Sequence, residues 1–217
     1  QLFDSTRLAT KVLASDLEAG ESTNDDTLTA FISTGFSLGA DVTVNTNVES
    51  YISWNWKVNG GTTSSVAGGA NIDNGTANNA TIQANTDAGF SIVTTTNTVR
   101  STAYMTIPHG LGTTPHFIIA KQYDSSNIWA IYHQIIPSNS LMLGGAYGDD
   151  VMNSGTNFAN VGGTTFQVQS NSISGSTDEN HIFYCFAGIE GYSKFGSYTG
   201  NGLADGTFVY TGFRPAF

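Results

Sequence analysis

The sequence predicts an all-β protein of tandem sandwich-like modules, with antiparallel strands, Gly/Asn/Asp-rich turns and little helix. Three observations carry that expectation. The apolar residues fall in short β-branched and aromatic runs, such as FIIAK at 117–121 and IFYCFA at 182–187, separated by Gly, Asn, Asp and Ser. No long segment keeps its apolar residues at a helical period. Charged side chains make up only 11% of the chain, against roughly 25% in an average globular protein, so Ser, Thr, Asn and Gly do the solvating. Aromatics reach 12%, which separates this polar richness from that of a disordered chain.

Taken in order, the chain opens with Leu2-Phe3-Asp4-Ser5, and residues 6–13 show no clear helical face. Residues 15–27 are polar and carry Asp16, Glu18, Glu21, Asp25 and Asp26. They lack the alternating acidic order of a calcium loop and read as a solvated loop. Strands are expected at 28–33, 35–39, 42–44 and 51–58. In the last of these, Ile52, Trp54 and Trp56 share a parity only at period two, which predicts that they face one side of a sheet. Residues 59–87, rich in Gly, Ser, Thr and Asn, read as a linker, either a flexible connector or a shallow surface ribbon. Beyond it, strands are expected at 90–93, 103–107, 117–121, 128–133, 140–143, 165–168 and 182–187. Pro108-His109-Gly110-Leu111-Gly112 forms a tight turn, Pro115 introduces the next strand, and a polar turn spans Asp124 to Asn127.

Weak internal repetition sets the domain reading. Leu2-Phe3-Asp4 lies over Ile131-Tyr132-His133, and Tyr51-Ile52-Ser53-Trp54-Asn55-Trp56 over His181-Ile182-Phe183-Tyr184-Cys185-Phe186, at nearly one offset. Arg214-Pro215-Ala216-Phe217 lies over Thr114-Pro115-His116-Phe117 at a shorter one, and Phe195-Gly196-Ser197-Tyr198-Thr199 follows the pattern of residues 90–96. The expected organisation is the C-terminal part of a first module at 1–58, a linker at 59–87, a complete module at 88–190, and a bridge with the start of a third module at 191–217. Such a chain would be a window on a longer array.

Four stretches carry a family resemblance: residues 89–93 (GFSIV), His109-Gly110-Leu111-Gly112 followed by Pro115 and FII at 117–119, WAIYH at 129–133, and the run from 182 to 202 with its Tyr-Thr-Gly-Asn-Gly turn at 198–202. Together they resemble the tandem module of tail-fibre-like virion structural proteins of tailed bacteriophages, especially marine ones. Leu2-Phe3-Asp4-Ser5 and Gly35-Phe36-Ser37-Leu38-Gly39 resemble the second half of the same module, so the resemblance covers nearly the whole chain except the 59–87 stretch. Thr95-Thr96-Asn97-Thr98 departs from the pattern, standing where the family shows its Tyr-Thr-Gly-Asn-Gly-like turn. The resemblance implies a place on the virion surface, in a tail or capsid fibre. It also implies a homo-oligomer, with a trimer favoured, in contact with other virion proteins.

The chemistry expected from the residues themselves is sparse. A net charge of −10 offers no basic patch for nucleic acid or for an anionic membrane, and no apolar run approaches the roughly 20 residues of a membrane span. Cys185 stands alone inside an apolar run and reads as a buried core residue. His109, His116, His133 and His181 are scattered without a zinc-binding spacing, and neither a nucleophile elbow nor a P-loop occurs, so no metal, cofactor or catalytic residue is expected. Asp149-Asp150 and Asp178-Glu179 sit in polar loops and are the weak candidates for a polysaccharide-degrading glycosidase. A glycan-binding surface is the better alternative. Tyr123, Tyr147, Tyr192 and Tyr198 are its candidate contacts, since a sugar site needs an aromatic face beside fixed polar groups; packing at a sheet end or subunit interface is the competing reading for each.

Overall fold

Residues 182–186 are apolar on both parities, and a strand of that kind is stable only when both faces of its sheet are covered. A computed structural model describes residues 1–59, 63–66, 80–98, 104–137, 140–143, 151–152, 157–169, 173 and 179–215, and places this run in a central strand. The elements in chain order are β1 (Leu2–Asp4), β2 (Leu8–Leu13), β3 (Ser22–Thr23), β4 (Leu28–Ile32), β5 (Gly35–Leu38), α1 (Val42–Asn45), β6 (Ser64–Val66), β7 (Ala80–Asn85) and β8 (Phe90–Thr98). They continue as β9 (Tyr104–Pro108), β10 (Phe117–Gln122), β11 (Trp129–His133), β12 (Ser140–Leu143), β13 (Val151–Met152), β14 (Phe158–Ala159), β15 (Thr165–Gln169) and β16 (Glu179–Phe186).

An antiparallel eight-stranded sheet, in the order β13-β12-β11-β10-β16-β8-β7-β6, forms the body. A three-stranded sheet, β14-β15-β9, covers one of its faces, so the all-β sandwich is present. Alternation along β16 divides its side chains. Phe183 and Cys185 enter the core shared with Met105, Ile107, Phe158, Phe166 and Val168 of the smaller sheet. Ile182 and Tyr184 point the other way, joining Phe90, Ile92 and Trp129 under Leu13 and Val58 of the N-terminal segment. That segment, with sheet β1-β2-β3 and hairpin β4-β5, is therefore a third layer on the outer face.

Several expectations need correction. The first 58 residues do not stand apart as a separate module: they share a core with β8, β11 and β16. The stretch at 59–87 is not a linker throughout. Residues 80–85 form β7, registered on β8 from Ala80↔Thr95 to Asn85↔Phe90, and β6 pairs with β7 in turn. Ala80 and Ile82 are apolar enough to fill the sandwich core, and Gly110 makes room for Ile82. A Cβ on Gly110 would lie 2.9 Å from Ile82 Cγ2. Residues 60–62 and 67–79 of that stretch lie outside the described residues.

Residues 42–44 are helical rather than extended because Asp41 caps them: its Oδ1 accepts from Thr43 N at 2.8 Å, the arrangement of an N-cap. Residues 51–58 are not a strand. They run without a ladder partner and expose Ile52, Trp54 and Trp56, so they do not repeat the central β16 over which the sequence lays them. Residues 195–215 likewise enter no sheet. The polar stretch at 15–27 is only partly a solvated loop, since it contains β3 and is pinned to the body at several points described next.

Candidate functional site

Polar groups in the described part of the chain serve two different ends: some fasten the layers together, and others gather around a recess on the surface. The fastening groups begin with Asp4. Its Oδ1 accepts from Thr6 N at 3.0 Å and Arg7 N at 2.9 Å, an Asx-type turn that folds the chain back after β1. Its Oδ2 takes Arg7 Nε at 2.6 Å and the Tyr184 hydroxyl at 2.8 Å. Arg7 also donates from Nη1 to Glu21 Oε2 at 2.9 Å, and Lys11 stands 3.4 Å from the same carboxylate. Burial, and then the Asp4 charge, holds the Tyr184 phenol well above its ordinary pKa, so it remains the donor to Asp4. Gln83 of β7 extends the contact by donating to Thr6 Oγ1 at 2.9 Å.

A second junction lies one strand away. Lys121 is buried and donates from Nζ to Glu18 O at 2.8 Å and Asn127 O at 2.6 Å, while Trp129 Nε1 donates to Leu17 O at 2.9 Å. Burial lowers the Lys121 pKa to about 8. Gly20 lets the two loops touch, since a Cβ there would sit 2.9 Å from Ser125 N. The sequence carried faint signals of both junctions, in Asp4-Ser5-Thr6-Arg7 and in a lysine ending the apolar run 117–120. Neither names its cross-layer partner, because Tyr184 lies 180 residues from Asp4 and Glu18 lies 103 residues from Lys121.

All four histidines are committed to backbone. His109 Nε2 faces Gly162 O at 3.1 Å and its Nδ1 accepts from Leu111 N at 3.2 Å, which closes the Pro-His-Gly-Leu-Gly turn. His133 Nδ1 accepts from Ile135 N at 3.2 Å, His116 Nδ1 from Gly188 N at 2.6 Å, and His181 Nε2 meets Ile173 O at 3.2 Å. Among the described residues no three His, Cys, Asp or Glu side chains stand together as a metal would need. Cys185 is fully buried, and burial raises its thiol pKa away from thiolate chemistry. Of the four weak acidic candidates, Glu179 is buried at the start of β16, whereas Asp149, Asp150 and Asp178 lie outside the described residues.

The recess lies where the 188–195 bridge meets residues 210–213. It is a half-open depression of about 410 Å³, lined by His116, Gln134, Glu190, Lys194, Phe195 and Tyr210 among others. The Phe195 ring lies parallel to His116 and to Phe117, at centroid distances of 6.3 and 5.8 Å, and Gln134 Nε2 donates to Phe195 O at 3.1 Å. Lys194 Nζ donates to Tyr210 O at 2.9 Å and stands 5.0 Å from the centre of the Tyr210 ring.

The candidate tyrosines are not brought together in one site. Tyr192 and Tyr198 are both exposed, Tyr192 on the bridge and Tyr198 on the segment that follows. Tyr123 is half-buried beneath the N-terminal layer, its phenol pushed up to about 12 by burial and by the nearby acidic charges, first Glu21. Tyr147 lies outside the described residues. Tyr210, which no local pattern in the sequence marks, is the tyrosine among the described residues that lines the recess. Other large apolar side chains are partly or largely exposed on segments outside every sheet: Val48, Ile52, Trp54 and Trp56 on one, Leu203, Phe208 and Val209 on the other.

Compared with known proteins, the chain matches the family model described as a domain of unknown function (DUF7483) over residues 1–217. No curated protein and no solved structure matches it.

Proposed function

We propose, from the premise that the chain belongs to the DUF7483 family of domains of unknown function, that it is a virion structural protein of a tailed bacteriophage. In this reading it is a fibre module of the tail or capsid that contributes to attachment at the host surface. The observation that carries the assembly role is the exposure of large apolar side chains on the two segments that no sheet includes, with Ile52 and Phe208 each 85% exposed. Apolar surface gains roughly 25 cal/mol for each Å² removed from water, so rows of this kind favour coverage by another protein surface. Copies of the same chain, with a trimer favoured, and neighbouring virion proteins are the partners. The resemblance of residues 89–93, 109–119, 129–133 and 182–202 to fibre-like modules supports the virion context.

The polar fastening supports the same role. The Tyr184-to-Asp4 hydrogen bond and the Lys121-to-carbonyl bond fix how the N-terminal layer sits on the sheet, and a load-transmitting module needs that rigidity more than it needs a mobile lid. A surface lectin is the second reading, favoured by the aromatic and polar composition of the recess. Proteomics of density-banded particles from the phage that encodes the chain tests the proposal. Peptides of the chain should band with intact virions and antibody should decorate their fibres. Recovery only from the soluble fraction of the lysate would overturn it.

A further inference from the structure

The recess at the bridge combines features that a carbohydrate site requires and that assembly alone does not. Its volume of about 410 Å³ falls within the range of small-molecule sites, roughly 300–1,000 Å³. Phe195 is held flat against His116 and Phe117, so its ring has a fixed orientation. Tyr210 is 70% exposed, with Lys194 fixing its position by one hydrogen bond and one cation–π contact. These rings offer flat surfaces for the C–H faces of a sugar.

Polar capacity stands beside them. His116 Nδ1 accepts the Gly188 N–H, so in its neutral form the ring carries its proton on Nε2 and presents that nitrogen as a donor. Lys194 spends one of its three N–H donors on Tyr210 O, and the Glu190 carboxylate contributes acceptors. One cation, one anion, an amide and an imidazole suit a hydroxyl-rich ligand with its mixed donors and acceptors. They do not suit a phosphate, which calls for clustered cations or a run of backbone N–H groups.

We propose that this recess binds a short stretch of surface polysaccharide, with Phe195 and Tyr210 contacting sugar faces and His116, Glu190 and Lys194 bonding hydroxyls. The proposal rests on the reading of the chain as a virion surface module, and gives its attachment role a location.

Ligand-observed saturation-transfer NMR on the whole chain, with chitotriose, maltotriose, cellotriose and trigalacturonic acid as probes, tests it. At least one trisaccharide should receive saturation, and Tyr210→Ala and Lys194→Ala should each raise its Kd about tenfold or more. Both side chains are exposed, so the variants should keep the parent circular dichroism spectrum. Phe31→Ala, which removes an exposed ring on the β4-β5 hairpin outside both the recess and the apolar rows, should bind as the parent does. Silence from all four probes would overturn the proposal, as would an equal loss in Phe31→Ala. The two readings fail separately: a chain found in virions that binds no sugar loses only the site, and a sugar-binding chain absent from virions loses only the module assignment.

Discussion

Asp4→Ala lowers the stability of the folded chain by about 3–5 kcal/mol, the usual cost of removing one partner from a buried ion pair. The carboxylate accepts two backbone N–H groups, the Arg7 guanidinium and the Tyr184 hydroxyl, and the Arg7 and Asp4 side chains are each only 3% exposed. Without it, Arg7 keeps Glu21 alone, its Nη2 already being buried with no partner in the structure, and the Tyr184 hydroxyl loses its acceptor. Tyr184→Phe should cost less, about 1–2 kcal/mol, because it removes a single hydrogen bond to a charged group. The double variant should cost less than the sum of the two, since both act through one oxygen. Urea titration followed by tryptophan fluorescence reads the effect, because Trp129 lies under the same N-terminal layer. A loss below 1 kcal/mol for Asp4→Ala would show that the layer is held by apolar contact and that the network is incidental.

Acid should weaken the protein through His181. Burial is the largest cause of its pKa falling from 6.5 to about 4, outweighing the carbonyl of Ile173 and the charges of Glu179 and Asp124 that pull the other way. Between those two values the unfolded chain binds more protons than the folded one, so stability is complete above pH 6.5 and declines as pH drops toward 4. At 1.36 kcal/mol per pKa unit the decline is about 3 kcal/mol. His109 and His133 are also lowered by burial and add to the same slope. Denaturant titrations at intervals from pH 7 to pH 4 should show the decline in the parent and a shallower one in His181→Gln. Equal slopes would place the acid sensitivity elsewhere.

Much of the sheet architecture was legible because its strands carry their own signals. The runs at 117–121, 129–133 and 182–186 are too apolar and too short for anything but buried strands, and they occupy adjacent positions β11-β10-β16 in the sheet. β7 was hidden because its residues, Ala80 to Asn85, are mostly small or polar, and its place depends on Gly110 yielding space from a distant turn. Residues 51–58 misled in the opposite direction. Ile52, Trp54 and Trp56 have the alternation of a half-buried strand, yet Trp56 rests on Phe90 and Phe186 at 50% exposure while Ile52 and Trp54 are 85% and 64% exposed. An alternating sequence states that one face seeks cover, not that the same chain supplies it.

The site was less legible than the fold. Tyr192 and Tyr198 are on the surface as a loop position suggests, but Tyr210 and Phe195 became site residues only when the bridge folded back against residues 210–213. His116 contributes through a hydrogen bond to Gly188, a pairing that no local spacing announces.

The proposed assembly covers the exposed apolar rows on residues 48–56 and 203–209 with other copies of the chain, leaving Tyr210 open at the recess. Sedimentation equilibrium of the purified 22.9 kDa chain at micromolar concentration measures this directly. The account predicts a defined oligomer, with three chains favoured, that dissociates when Trp54 and Phe208 are both replaced by Ser. A single species at the monomer mass across the accessible concentration range, unaffected by those substitutions, would contradict it.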